Sequence, residues 1–139
     1  MAVPDINYLA VLVAAISQMI IGAIWYGPLF GKEWINYMGF KKDKKSMQKM
    51  KEGAKKSYIW MFIGSVITAM VFSYIIDYAD ATTAIDGMIG GFWIWIGFVV
   101  PLLAGMVLWE GKSKGLYYIN VGYYLVSLMI MGAILAVWM

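Results

Sequence analysis

Apolar residues along this chain neither alternate nor return to one helical face; they run together. Residues 6–26, 58–76, 87–109 and 116–138 each pass without a Lys, Asp or Glu. Each stretch is close to the ~20 residues that a helix needs to cross a hydrocarbon core of ~30 Å, where it satisfies its own backbone hydrogen bonds. The pattern predicts an all-α fold: an integral membrane four-helix bundle, one domain over residues 1–139, with a single long connection over 27–57. The first stretch lacks a preceding lysine and a following cleavage pattern, so it is expected to stay in the mature protein rather than act as a cleaved signal.

Polar and special residues mark the expected helix ends. Asp5 after Pro4 is expected to cap the first helix, and Thr83 with Asp86 approximates a capping box for the third. Gly27 and Pro28 read as the stop of the first helix. In the long connection, Phe30, Trp34, Ile35 and Met38 recur at helical spacing opposite Lys32, Glu33 and Asn36, which predicts a short interfacial helix over 31–38 that ends at Gly39. After a cap at Asp43, an apolar stripe of Met47, Met50, Ala54, Tyr58 and Met61 runs into the second span, so one continuous helix is expected over 44–76. Trp25, Tyr26, Tyr58, Trp60, Trp109, Tyr117, Tyr118 and Trp138 stand at span ends, and an aromatic belt accounts for nearly all of them.

Charge then orients the bundle. Nine of the eleven lysines lie between spans one and two, and Lys112 and Lys114 lie between spans three and four. Short cytoplasmic loops collect basic residues, so both termini are expected outside a cell membrane and the long loop in the cytoplasm. The remaining loop carries Asp77, Asp80 and Asp86. Lys41, Lys42, Lys44, Lys45 and Lys49 are the expected contacts for anionic lipid headgroups or for a protein partner. Nucleic acid is not an expected partner, because the basic loop has no arginine.

Composition narrows the chemistry. Of 139 residues 63% are hydrophobic and 14% charged, where soluble domains carry about 25% charge, so a water-soluble globular protein is excluded. The chain has no histidine, cysteine or arginine. The usual zinc ligands, thiolate nucleophiles and imidazole bases are therefore missing, and neither an enzyme nor a cofactor or metal site is expected. No ionisable residue lies near the middle of a span; where small multidrug exporters place a glutamate in their first helix, this chain has Gln18.

Neutral polar and small residues are the remaining candidates. Asn7, Gln18, Ser65, Thr68, Asn120, Tyr124 and Ser127 lie on the spans and admit two readings, interhelical hydrogen bonds or the lining of a small polar path. On span three, Gly87, Gly90, Gly91, Gly97, Pro101 and Gly105 predict a face for close helix packing, with Pro101 able to kink it. Residues 17–24 and 127–134 share six identities in eight (S-Q-M-I-I-G-A-I and S-L-M-I-M-G-A-I), which suggests a pairing around Gly22 and Gly132.

The string Trp25-Tyr26-Gly27-Pro28-Leu29-Phe30-Gly31-Lys32, followed by Trp34, together with Gly122, Tyr123 and residues 131–136, resembles a known family. It is similar to the small four-helix prokaryotic membrane proteins grouped as domain of unknown function 1761. The resemblance covers essentially the whole chain and implies four spans in a prokaryotic membrane, with no catalytic or binding residues carried over. Together these features lead to the expectation of a non-enzymatic assembly module, a homo-oligomer or a subunit of a larger membrane complex; the alternative is an oligomeric channel or transporter for a small neutral or weakly charged solute.

Overall fold

Asn7 starts the first helix. In the computed structural model, which describes residues 6–38 and 44–138, its backbone is extended and its Oδ1 accepts from the N–H groups of Leu9 and Ala10 at 3.1 and 3.2 Å, satisfying two donors that helix α1 (Tyr8–Ile24) leaves open. The cap expected at Asp5 is thus made by Asn7; Asp5 itself lies outside the described residues. At the other end, Gly27 and Pro28 do not stop the helix. It widens into a π turn, Trp25–Leu29, in which the Phe30 N–H reaches back five residues to the Trp25 carbonyl at 2.9 Å. Pro28 has no N–H to give, and the wider turn absorbs it.

Helix α2 (Gly31–Met38) follows directly. Helix α3 (Lys44–Tyr78) then runs unbroken for 35 residues, about 52 Å at 1.5 Å per residue, two residues past its expected end. The stop at Gly39 and the cap at Asp43 fall outside the described residues. A turn with Asp80 at φ 53°, a left-handed conformation that Asp tolerates, leads to Thr83, whose Oγ1 accepts from the Asp86 N–H at 3.1 Å and caps α4 (Ala84–Ile94).

The third span is not one regular helix. A π turn, Trp95–Val99, interrupts it, and two short helical turns follow, α5 (Val100–Leu103) and α6 (Gly105–Leu108). The disturbance centres on Pro101, which cannot donate to Gly97. Gly111, at φ 67°, turns the chain into α7 (Lys114–Trp138).

Four helical segments, Tyr8–Leu29, Lys51–Tyr78, Ala84–Leu108 and Lys114–Trp138, are long and apolar enough to cross a membrane. Among the described residues the regular structure is all helical. Helix α7 is the hub and packs against α1, α3 and α4. Small residues let the helices approach: Ala10, Ala14 and Ala15 of α1 meet Ala69 and Phe72 of α3 and Met131 and Leu135 of α7 in one buried cluster. Span three leans chiefly on α7, and of its residues only Gly87 and Gly91 are buried.

Candidate functional site

Two π turns flank α7, and each begins with a tryptophan whose indole donates to an α7 carbonyl. Trp25 Nε1 reaches Ile119 O at 2.9 Å and Trp95 Nε1 reaches Val121 O at 2.7 Å. Those carbonyls belong to a continuous helix, and each has a second lone pair free for the indole. In return, the Tyr117 hydroxyl of α7 donates to Val100 O at 2.9 Å, where Pro101 disturbs span three. Each π turn is thereby pinned to α7 by a part-buried hydrogen bond.

An aromatic and polar seam continues from the first pin. The Tyr26 hydroxyl donates to Asn120 Oδ1 at 2.6 Å, and Asn120 Nδ2 points at Met106 Sδ at 4.0 Å. The Tyr26 ring stands edge-on to Tyr123 at 5.3 Å and to Trp34 at 5.8 Å, and Tyr123 packs on Tyr124 at 5.0 Å. Buried Tyr123 donates its hydroxyl to Gln18 O at 3.1 Å. Glycine makes these approaches fit: a Cβ on Gly122 would stand 2.9 Å from Trp25 Cζ2, and one on Gly31 would stand 2.8 Å from Tyr26 O. Tyr37 of α2 lies over Gly115, where a side chain would have to displace its ring.

The other sequence candidates are dispersed. Asn7, besides capping α1, donates through Nδ2 to Trp138 O at 3.0 Å and ties the two terminal spans together. Ser127 is buried but bonds within its own helix, to Tyr123 O at 2.8 Å. Ser65 is buried, and its hydroxyl meets the Met19 thioether at 3.8 Å. Thr68 is exposed on the rim between α3 and α4. Gln18 is 5% exposed, and its carboxamide has no hydrogen-bond partner among the described residues. No side-chain nitrogen or oxygen there is both sealed and unpaired, so the carboxamide keeps a narrow opening.

The small residues of span three divide among different neighbours. Gly87 and Gly91 face α7, where an added Cβ would collide with the backbone of Gly132 and Leu128. A Cβ on Gly90 would stand 3.7 Å from Ile76 of α3, one on Gly105 3.8 Å from its own Trp109 ring, and one on Gly97 would meet nothing within 4 Å; Pro101 is exposed. The pairing suggested for Gly22 and Gly132 does not form: Gly22 faces the Tyr123 hydroxyl, and Gly132 faces Gly87. Lys44, Lys45 and Lys49 are exposed on α3, whereas Lys41 and Lys42 lie outside the described residues. No three Asp or Glu side chains among the described residues gather as a metal-binding group.

Seven of the residues that carried the family resemblance meet in space. Trp25, Tyr26, Phe30, Gly31 and Trp34 from one stretch and Gly122 and Tyr123 from the other form one contact. A family model described as a protein of unknown function (DUF1761) matches residues 9–136. The chain belongs to this family. That match runs from α1 into the last turns of α7 and so takes in both pinned π turns. No curated protein and no solved structure matches the chain.

An aromatic belt does not account for Trp25, Tyr26 and Tyr117, which spend their polar atoms inside the bundle. Trp95 was missed altogether. The signal was available: a tryptophan in the interior of a span needs an acceptor for its N–H, and six residues later a proline disturbs the same helix.

Proposed function

We propose that this DUF1761 member is a multi-pass protein of a prokaryotic cell membrane that works without catalysing a reaction, by assembling with copies of itself or as an accessory subunit of a larger complex. The carrying observation is the third span: beside its contacts with α7 and α3 it leaves one face, with Trp93, Gly97, Phe98 and Pro101, exposed. Small residues on an outward face let another helix approach closely, and close packing is what holds helices together where lipid is as apolar as the side chains. The exposed Lys44, Lys45 and Lys49 support a cytoplasmic contact with anionic headgroups, at about 1 kcal/mol per lysine near the surface.

The test is the mass of the complex extracted in mild detergent, with co-purifying chains identified, together with oxidative cross-linking of Gly97→Cys. The chain has no cysteine of its own, so a cross-linked dimer reports that position alone. Rapid Gly97→Cys dimers, or a stoichiometric partner, support the reading; a lone chain that does not cross-link overturns it.

A second reading, a path for a small neutral or weakly charged solute, is favoured by one observation: the Gln18 carboxamide, deep in the bundle and unpaired among the described residues. Under that reading Gln18→Leu abolishes flux through reconstituted vesicles while the fold stays intact.

A further inference from the structure

Helices α3 and α4 both pack on α7, and a crevice lies between them. Its deeper part is a hollow of about 280 Å³ walled by Ile67, Thr68, Val71 and Ile75 of α3 and Ile94 of α4, floored by Leu128 of α7. Toward the connecting loop a second hollow of about 310 Å³ opens beside Asp80, Asp86, Ile89, Gly90 and Trp93. Ile76 of α3 packs its side chain toward Gly90 of α4.

The register gives this crevice a definite depth. From Ile67, near the middle of span two, to Tyr78 at the end of α3, next to Ala79 in the second hollow, is eleven residues, about 16 Å along the helix. Half of a ~30 Å hydrocarbon core is about 15 Å. The crevice thus covers one leaflet, apolar where the chains of that leaflet lie and acidic where its headgroups lie. A membrane-crossing helix from another protein would need the full thickness, so the shape selects a lipid.

Charge selects the kind of lipid. No lysine lies between Lys56 and Lys112, and the mouth holds two exposed carboxylates beside the Trp93 ring. Two carboxylates repel an anionic headgroup and attract an ammonium, and an indole face adds cation–π attraction. We propose that the α3–α4 crevice is a binding site for a lipid whose headgroup ends in an ammonium, with one hydrocarbon chain along Ile67, Val71 and Ile75 and the ammonium between Asp80, Asp86 and Trp93. The inference rests on the membrane reading above.

The test reconstitutes the full chain into vesicles and measures quenching of Trp93, taken as the difference from Trp93→Phe, by chain-brominated phosphatidylethanolamine and by chain-brominated phosphatidylglycerol. The expected result is a preference of about five-fold for phosphatidylethanolamine, the factor that ~1 kcal/mol of headgroup electrostatics supplies. In the double variant Asp80→Asn, Asp86→Asn the preference is lost with the melting temperature unchanged, since Asn also tolerates the left-handed backbone at position 80. Equal quenching by the two lipids, a preference for phosphatidylglycerol, or a preference that survives the double variant overturns the proposal. A chain that fails to enter vesicles at all overturns the membrane reading first.

Discussion

Gly87 and Gly132 meet backbone to backbone, each placed where a Cβ on the other helix would strike its carbonyl. This contact, repeated one turn on at Gly91 over Leu128, is the tightest approach of span three to α7, and these two glycines are its only fully buried residues. Dispersion and weak Cα–H···O contacts between close backbones then stand in for the hydrophobic effect that lipid cannot supply.

Gly87→Ala is therefore expected to destabilise the protein by about 1–3 kcal/mol, the usual cost of overpacking a tight contact, and Gly132→Ala by a similar amount. Gly97→Ala is the control in the isolated chain, because there an added methyl meets nothing within 4 Å. It is expected to be neutral or to stabilise by up to ~1 kcal/mol through helix propensity. Unfolding by a denaturing detergent, followed by circular dichroism, separates the three variants. If Gly97→Ala costs as much as Gly87→Ala, the intrachain contact is not what distinguishes these glycines.

The indole of Trp95 is expected to contribute about 1 kcal/mol through its bond to Val121 O, so Trp95→Phe should lose that much while Trp93→Phe loses nothing measurable in the isolated chain. Trp93 is 65% exposed and keeps its apolar surface when replaced. Equal melting temperatures for the two variants would show that the second π turn does not depend on its pin.

How much of this was legible beforehand differs by element. The spans were readable because uncharged runs of about 20 residues have one stable form in a membrane, and the 44–78 helix because its stripe continued from the loop into the span. What failed was local. Gly27 and Pro28 read as a stop, but the widened turn that absorbs them depends on Trp25 finding Ile119 O, a partner 94 residues away. The glycines of span three read as one face, yet a step of one residue, from Gly90 to Gly91, passes from α3 to α7 as neighbour. Spacing along one helix does not say which neighbour each side receives.

Gln18 gives a prediction whose sign is informative. A carboxamide left unpaired when largely buried costs about 1–3 kcal/mol, and methionine has nearly its shape without its polar atoms. Gln18→Met is expected to raise stability by about 1 kcal/mol or more, measured by the same unfolding assay. A fall instead would show that the carboxamide is satisfied in the membrane by water or a solute, and would favour the permeation reading.

Orientation rests on the lysines alone and is open to direct test. Because the chain has no cysteine, single reporters are clean: Lys45→Cys on the exposed start of α3 and Thr82→Cys in the acidic turn stand at opposite ends of span two. With all eleven lysines in the two loops on one side, that side should be cytoplasmic. A membrane-impermeant maleimide applied to intact cells is then expected to label Thr82→Cys and to spare Lys45→Cys until the cells are opened. The reverse pattern would place the lysines outside, against the strongest charge asymmetry in the chain. It would also move the 44–56 extension of α3 away from the anionic leaflet it is proposed to contact.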